Sequence, residues 1–146
     1  MTTLNNRRRV SQQVILEHSK KPRHRGKTHL IHRCHCGENP TCGDRIELTV
    51  QLNLEGNIIE DLKFEGEGCA ISIASADLMA EALSGKSIKN ALEMVQRFRN
   101  MMKGEAEFPK ELQKLNVLQG VSQFPIRIKC ATLCWHTLKA ALEIEN

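Results

Sequence analysis

The sequence contains few aromatic residues: its 146 residues include four Phe, one Trp and no Tyr. Aromatic side chains bury large areas and often dominate hydrophobic cores. Their scarcity means that this core must be built from Leu, Ile, Val, Met and Ala. Hydrophobic residues make up 40% of the chain, which is enough for an ordinary core at this length. The length predicts a single domain over residues 1–146.

Long apolar runs are also missing. No stretch reaches the roughly 20 apolar residues that a membrane-spanning helix needs. Arg7, Arg8 and Arg9 are not followed by the apolar segment and small-residue cleavage site of a signal peptide. These absences predict a cytoplasmic protein that has no membrane partner. In such a reducing compartment, the six cysteines are expected to be metal ligands or reactive thiols rather than disulfides.

Acidic residues are nearly absent from the first quarter of the chain. Residues 1–36 contain nine of the 21 Lys and Arg but only one acid, Glu17, whereas residues 37–146 are net acidic. This basic arm could bind an acidic partner, or it could be a solvated helix face with a frayed terminus, and residues 1–9 are expected to be flexible. The arm has no aromatic side chains that could stack on bases, so no nucleic-acid partner is expected.

Hydrophobic periodicity predicts two antiparallel strands in the middle of the chain. Apolar and polar residues alternate over 45–53, and the alternation resumes over 58–65. The intervening Glu55-Gly56-Asn57 sequence is typical of a hairpin turn. Residues 27–36 are a candidate for a third strand, followed by a turn at 37–40 that is rich in helix and strand breakers.

Apolar residues at helical spacing predict the remaining elements. The predicted order is α-β-β-β-α-α-α-α, an α+β fold in which helices pack on one face of a small antiparallel sheet of about three strands. The predicted helices cover residues 8–19, a segment from Ala70 to Gly85, residues 87–103, residues 109–121 and a last helix that begins after Cys130.

Three cysteines lie where predicted elements begin or end. Cys42 precedes one strand and Cys69 follows the strand that returns from it, so the hairpin brings both to one end of the sheet. Cys130 precedes the last predicted helix, and a helix packed on the sheet could place it at the same end. Unpaired N–H groups at a helix N-terminus lower the pKa of a nearby thiol. Because Cys69 and Cys130 both precede predicted helices, a lowered thiol pKa is expected for both.

Three thiolates at one end of a sheet would repel one another without a cation. Zn²⁺ suits them because it takes sulfur ligands in a tetrahedron. Asp44 lies two residues after Cys42 and could supply a fourth ligand through oxygen. The spacing matches no C-x₂-C finger, so three buried structural thiols are an equally good interpretation of the spacing alone.

Two further groups of residues have metal-binding or redox chemistry. Cys134 lies one helical turn after Cys130 and could act as a resolving thiol, although a position in the core is the favoured interpretation. The other group consists of His29, His32, Cys34, His35 and Cys36. These residues could form a second metal site, but a variable strand with surface histidines is the favoured interpretation.

Long motifs in the sequence resemble the SufU branch of the U-type iron–sulfur cluster assembly family, which also includes IscU-type scaffolds and NifU N-terminal domains. The resemblance extends in consistent order over about residues 10–143. The motifs are NPTCGDR at 39–45, FEGEGC at 64–69, LQGV at 118–121 and FPIRIKCATL at 124–133, preceded by Val14, Ile15, His18, Pro22, Arg23 and Gly26.

The resemblance implies a zinc site formed by Cys42, Asp44, Cys69 and Cys130. Classical scaffolds have His directly before the last cysteine, whereas this chain has Lys129. They also lack the longer segment that this chain carries around residues 97–121. Both differences favour the zinc-dependent sulfur-transfer branch of the family.

In that branch, the partner is a pyridoxal-phosphate cysteine desulfurase that carries a persulfide on its active-site cysteine. The resemblance implies that a desulfurase histidine replaces Cys42 on zinc. Cys42 then accepts the sulfane sulfur and passes it to downstream SUF assembly proteins. One alternative is a scaffold that assembles a [2Fe–2S] cluster on the same cysteines. The other is a binding module whose zinc is only structural.

Overall fold

In a computed structural model, the chain folds into four α-helices, three strands and one 3₁₀ segment. The structure describes residues 3–143, and their side chains from Arg8 onward. The order of the elements confirms the predicted α-β-β-β-α-α-α-α arrangement. The elements are α1 (Thr3–Lys20), β1 (Arg33–Asn39), β2 (Asp44–Leu52), β3 (Ile59–Glu67), α2 (Ala70–Leu83), α3 (Ile88–Met102), the 3₁₀ segment (Lys110–Gln123) and α4 (Pro125–Leu142).

The three strands form one antiparallel sheet in the order β1-β2-β3. Ile46, Leu48 and Val50 alternate along β2 and are fully buried on one face, as the alternation predicted. Helices α2 and α4 pack on this face, with α1 behind α2 and α3 behind α4. Trp135 of α4 is buried and stacks on Phe98 of α3 with 4.4 Å between ring centroids.

The segment between α1 and β1 begins along the edge of β3 and then crosses the opposite face of the sheet. Gly26 donates its N–H to the carbonyl of Phe64 in β3, and farther along the segment Thr28 donates its N–H to Oγ1 of Thr49 in β2. The predicted strand at 27–36 is therefore misplaced, because most of those residues belong to this crossing segment.

The strand β1 starts later than predicted because its position is set by pairing with β2. The pairing runs from Asn39 opposite Asp44 to Arg33 opposite Val50. The predicted turn at 37–40 is wrong for residues 37–39, which extend β1, and the chain turns at residues 40–43. A Cβ at Gly37 would overlap the hydroxyl of Thr137, so the glycine lets α4 pack closely on β1.

Both terminal helices start earlier than predicted. Helix α4 begins at Pro125, a residue that is well suited to the first helical position, so Cys130 lies inside the helix rather than before it. Helix α1 begins at Thr3, so residues 3–9 are helical and residues 1–2 lie outside the described residues. The expected flexibility of residues 1–9 stays a prediction.

Helix α1 is held against α2 by a buried polar pair. Nδ1 of His18 lies 2.5 Å from Oδ2 of Asp77, whose side chain is fully buried. The other oxygen of Asp77 accepts the backbone N–H groups of Arg23 and His24.

None of the helices in the described part of the chain has the length and apolar character needed to cross a membrane.

Candidate metal centre

Cys42 lies at the tip of the tight loop between β1 and β2. Its backbone N–H donates to the carbonyl of Asn39 at 3.2 Å, and the next residue, Gly43, has a left-handed φ of 71° that favours glycine. The pairing of Asn39 with Asp44 closes the loop. The side chain of Cys42 is half-buried, so the loop presents a thiol that remains open to solvent on one side.

Three of the four predicted ligands form a compact group. The donor atoms of Cys42, Asp44 and Cys130 all lie within 4.8 Å of one another. Asp44 is 1% exposed and Cys130 is 3% exposed, so two of the three donors are buried. Within residues 3–143 this is the only group of three or more His, Cys, Asp or Glu side chains that meets this distance.

Both oxygens of the Asp44 carboxylate accept hydrogen bonds. The backbone N–H of Cys69 donates to Oδ1 at 2.9 Å, and the side-chain amide of Asn39 donates to Oδ2 at 3.4 Å. The same amide also lies 3.9 Å from Sγ of Cys130. These contacts fix the orientation of a buried carboxylate, which is otherwise costly to keep away from water.

Cys69 is placed beside this group by its backbone. It is the N-cap residue of α2, as its predicted position before a helix required, and its side chain is exposed. Its sulfur lies outside the compact group of Cys42, Asp44 and Cys130. The structure therefore brings three of the predicted ligands together and leaves the fourth, the thiol of Cys69, at the solvent side of the same site.

Two glycines allow β3 to approach β2 closely just before Cys69. Gly66 has φ of 137°, and a Cβ there would overlap the carbonyl of Arg45. A Cβ at Gly68 would overlap Oδ1 of Asp44. This close approach carries the Cys69 N–H to Asp44.

The prediction that a helix N-terminus lowers the pKa of Cys130 is wrong. Cys130 lies in the second turn of α4, where N–H groups are already bonded within the helix. Burial instead raises the pKa of its thiol far above the ordinary value, and hydrogen bonding with Asp44 acts in the same direction. The neighbouring thiols of Cys42 and Cys69 raise this pKa further.

The donor set fits Zn²⁺. Three thiols and one carboxylate match the sulfur and oxygen ligands and the four-coordinate preference of zinc. Two buried, closely spaced acidic groups are unfavourable together when both are ionised, and a divalent cation removes that repulsion. The chemistry of these residues therefore favours a cation over three inert structural thiols.

The other candidate residues are not gathered into a site. Nδ1 of His32 accepts the N–H of Leu52, and the adjacent Cys34 and His35 point to opposite faces of β1. Cys134 is 1% exposed, and its sulfur lies 3.5 Å from the Ser75 hydroxyl in the core. Burial raises the pKa of Cys134 to about 12, which suits the favoured interpretation as a core thiol.

Two residues of this site were missed by sequence reasoning. Asn39 stands in the NPTCGDR motif, and its position directly before the loop was the available signal. Ser72 lies in α2 with its hydroxyl beside Gly68, on the side that Oδ1 of Asp44 also borders. No signal in the sequence distinguishes it from the other small residues of that helix.

Comparisons with known proteins identify the family of this chain. A family model described as NifU-like N terminal domain matches residues 10–143. The Bacillus subtilis protein named zinc-dependent sulfurtransferase SufU is 49% identical over 138 residues, which cover 92% of this chain and 90% of that protein. The Streptococcus pyogenes protein named iron-sulfur cluster assembly scaffold protein IscU is 44% identical over 131 residues, covering 89% and 80%.

A solved structure shows the same fold. The crystal structure of FiSufU from Fervidobacterium islandicum AW-1 has a TM-score of 0.82 and 39% sequence identity, and the match covers 90% of this chain and 95% of that one. A family model that spans nearly the whole chain, together with relatives of this identity, shows that the chain belongs to the family of NifU-like N terminal domains.

Proposed function

We propose that this protein is a zinc-dependent sulfurtransferase of iron–sulfur cluster assembly that accepts sulfur on Cys42. The observation that carries the proposal is the grouping of one half-buried thiol, Cys42, with a buried thiol and a buried carboxylate. The relative from Bacillus subtilis, named as a zinc-dependent sulfurtransferase, supports the same function.

Cys42, Asp44, Cys69 and Cys130 are the residues that would hold zinc. When bound, the metal keeps their thiols deprotonated at neutral pH. Cys130 and Asp44 are buried and fixed by neighbouring groups, so they are the anchoring pair. Cys42 is half-buried and lies on the loop between β1 and β2, so it can leave this arrangement without disturbing a helix or a strand.

The sulfur donor in this proposal is the persulfide on a pyridoxal-phosphate cysteine desulfurase. The thiolate of Cys42 attacks the outer sulfur of the donor persulfide and forms a new S–S bond. The S–S bond of the donor breaks, and its electron pair stays on the desulfurase cysteine, which leaves as a thiolate. No net oxidation occurs, because one persulfide and one thiolate are exchanged for another persulfide and thiolate.

A protein donor suits the surface next to the site. Phe124 and Ile126 precede Cys130 at the start of α4 and are 52% and 65% exposed. The guanidinium of Arg127 lies 5.2 Å from the centre of the Phe124 ring. Exposed aromatic and aliphatic side chains with an arginine are typical of the centres of protein interfaces. The partner would dock here and then deliver sulfur to Cys42.

The second candidate function is assembly of a [2Fe–2S] cluster on the same cysteines. The Streptococcus pyogenes relative, named as a scaffold, favours it. The lysine at position 129, where classical scaffolds have His, favours sulfur transfer instead. The metal content of freshly purified protein separates the two, since about one zinc per chain is expected for the transferase. Iron with visible absorbance would support the scaffold.

The sulfur-transfer proposal is tested with the zinc-loaded full chain, a cysteine desulfurase and isotopically labelled cysteine. Peptide mass spectrometry after thiol blocking should find the labelled persulfide on Cys42. The Cys42→Ala variant should lose the label and no longer stimulate the desulfurase. Cys34→Ser is the matched control, because Cys34 is exposed and lies outside the site. A label that moves to another cysteine, with stimulation unchanged in Cys42→Ala, would overturn the role of Cys42.

A further inference from the structure

Ser72 carries a buried hydroxyl without a hydrogen-bond partner. The residue is 1% exposed, and its Oγ is one of two buried side-chain polar atoms without a partner among the residues that the structure describes. The other is Nε of Arg33, whose guanidinium still donates through Nη1 to the His32 carbonyl. Ser72 has no second polar atom in its side chain, so its whole hydrogen-bonding capacity is unused.

This hydroxyl and the Asp44 carboxylate border the same glycine. A Cβ at Gly68 would lie 3.0 Å from Oγ of Ser72 and would overlap Oδ1 of Asp44, so both oxygens border the same side of Gly68. Oδ1 of Asp44 accepts one hydrogen bond, from the N–H of Cys69. A carboxylate oxygen can accept two, so Oδ1 has capacity for a further donor.

We propose that Ser72 is a positioning residue of the metal centre, whose hydroxyl donates to the Asp44 carboxylate in the zinc-loaded protein. This inference rests on the zinc site of the proposed function, not on sulfur transfer. Carboxylates that bind metals are themselves held by hydrogen bonds, and the Asn39 amide and the Cys69 N–H already hold Asp44 in this way. In the zinc-loaded protein, the Ser72 hydroxyl would be the third donor to this carboxylate.

Ser72 should affect the metal-free protein and the zinc-loaded protein differently. In the metal-free chain, an unpaired buried hydroxyl is destabilising, and its removal should not lower stability. In the zinc-loaded chain, removal of the donor should weaken the hold on Asp44. A serine with an ordinary structural role would affect both states in the same direction.

Ser75 on the same helix is the matched control. It is fully buried, and its hydroxyl donates to the carbonyl of Ala131 at 2.6 Å and accepts from Nε1 of Trp135 at 3.1 Å. Its hydrogen-bonding capacity is satisfied within the core. Ser75→Ala should therefore lower the melting temperature of both the metal-free and the zinc-loaded protein and leave zinc affinity within about twofold of the wild type.

The experiment measures zinc affinity by competition with a chromophoric chelator, and melting temperature with and without zinc, for wild type, Ser72→Ala and Ser75→Ala. Ser72→Ala should bind zinc about tenfold more weakly, with a metal-free melting temperature equal to or above that of the wild type. Wild-type zinc affinity in Ser72→Ala, or a lower metal-free melting temperature, would overturn the role of Ser72.

The zinc-affinity experiment does not depend on sulfur transfer. No desulfurase is present, so a failure of Cys42 to accept sulfur would contradict the proposed function and leave the zinc measurement readable. A wild-type chain that binds no zinc would overturn both. A loss of zinc affinity only in Ser72→Ala would support the positioning role whichever protein later receives the sulfur.

Discussion

The backbone N–H of Cys69 donates a hydrogen bond to Oδ1 of Asp44, with 2.9 Å between nitrogen and oxygen. This contact joins the residue that starts β2 to the residue that caps α2. It means that Asp44 has two roles in the site: a candidate metal ligand, and the acceptor that sets where Cys69 lies. A change that displaces the Asp44 carboxylate should therefore affect both ligands.

Gly68→Ala should displace Asp44 and weaken metal binding. A Cβ at Gly68 would overlap the carboxylate oxygen, and forced shifts in a packed site cost about 1–3 kcal/mol of stability. We expect a lower free energy of unfolding in denaturant titration and a lower zinc affinity in chelator competition. Gly120→Ala is the control, because a Cβ there meets nothing within 4 Å. Equal zinc affinity in the two variants would contradict the proposed contact between Gly68 and the site.

Cys42→Ala should keep more zinc than Cys130→Ala or Cys69→Ala. Cys130 is buried within α4, and the backbone N–H of Cys69 is held by Asp44 at the start of α2, whereas Cys42 lies on the loop between β1 and β2. Loss of an anchoring ligand should therefore release more metal than loss of an exchangeable one. Elemental analysis of each purified variant, expressed as zinc per chain, measures the difference. The lowest zinc content in Cys42→Ala would mean that Cys42 is an anchoring ligand.

Cys134 should make the folded state less stable at alkaline pH. Burial raises the pKa of its thiol from 9.0 to about 12, so the native thiol stays protonated while the unfolded thiol ionises. The contribution of this thiol to the free energy of unfolding is complete below pH 9. It is lost as the pH rises from 9 toward 12, by at most about 1.4 kcal/mol per pH unit.

Denaturant titrations of the wild type and Cys134→Ala at pH 8 and pH 10.5 measure that contribution. Cys134→Ala should be less stable than the wild type at pH 8, because it leaves a cavity in the core. The difference between the two proteins should shrink at pH 10.5. A difference that stays constant with pH would show that the Cys134 thiol ionises as easily in the folded protein as in the unfolded chain.

The middle strands and most of the helices were predictable because their signals are local. Alternation along β2 and β3 and helical spacing in α2 and α3 arise from which side chains one element buries, and this is written in neighbouring residues. Strand β1 was misplaced because its sequence, RCHCGEN, carries no alternation of apolar residues. Its bounds depend on hydrogen bonds to β2, which is a partner outside the segment.

The sequence by itself determined the family, through motifs of consistent order, and it determined Cys42, Asp44, Cys69 and Cys130 as candidate ligands. Tertiary structure alone decided that Cys42, Asp44 and Cys130 group closely while the Cys69 sulfur lies outside. It also decided that Cys130 is buried within α4 and that the unpaired Ser72 hydroxyl borders Gly68 together with the Asp44 carboxylate. The reason is physical: distances between residues far apart in the chain, and the burial that sets a thiol pKa, depend on how helices pack on the sheet.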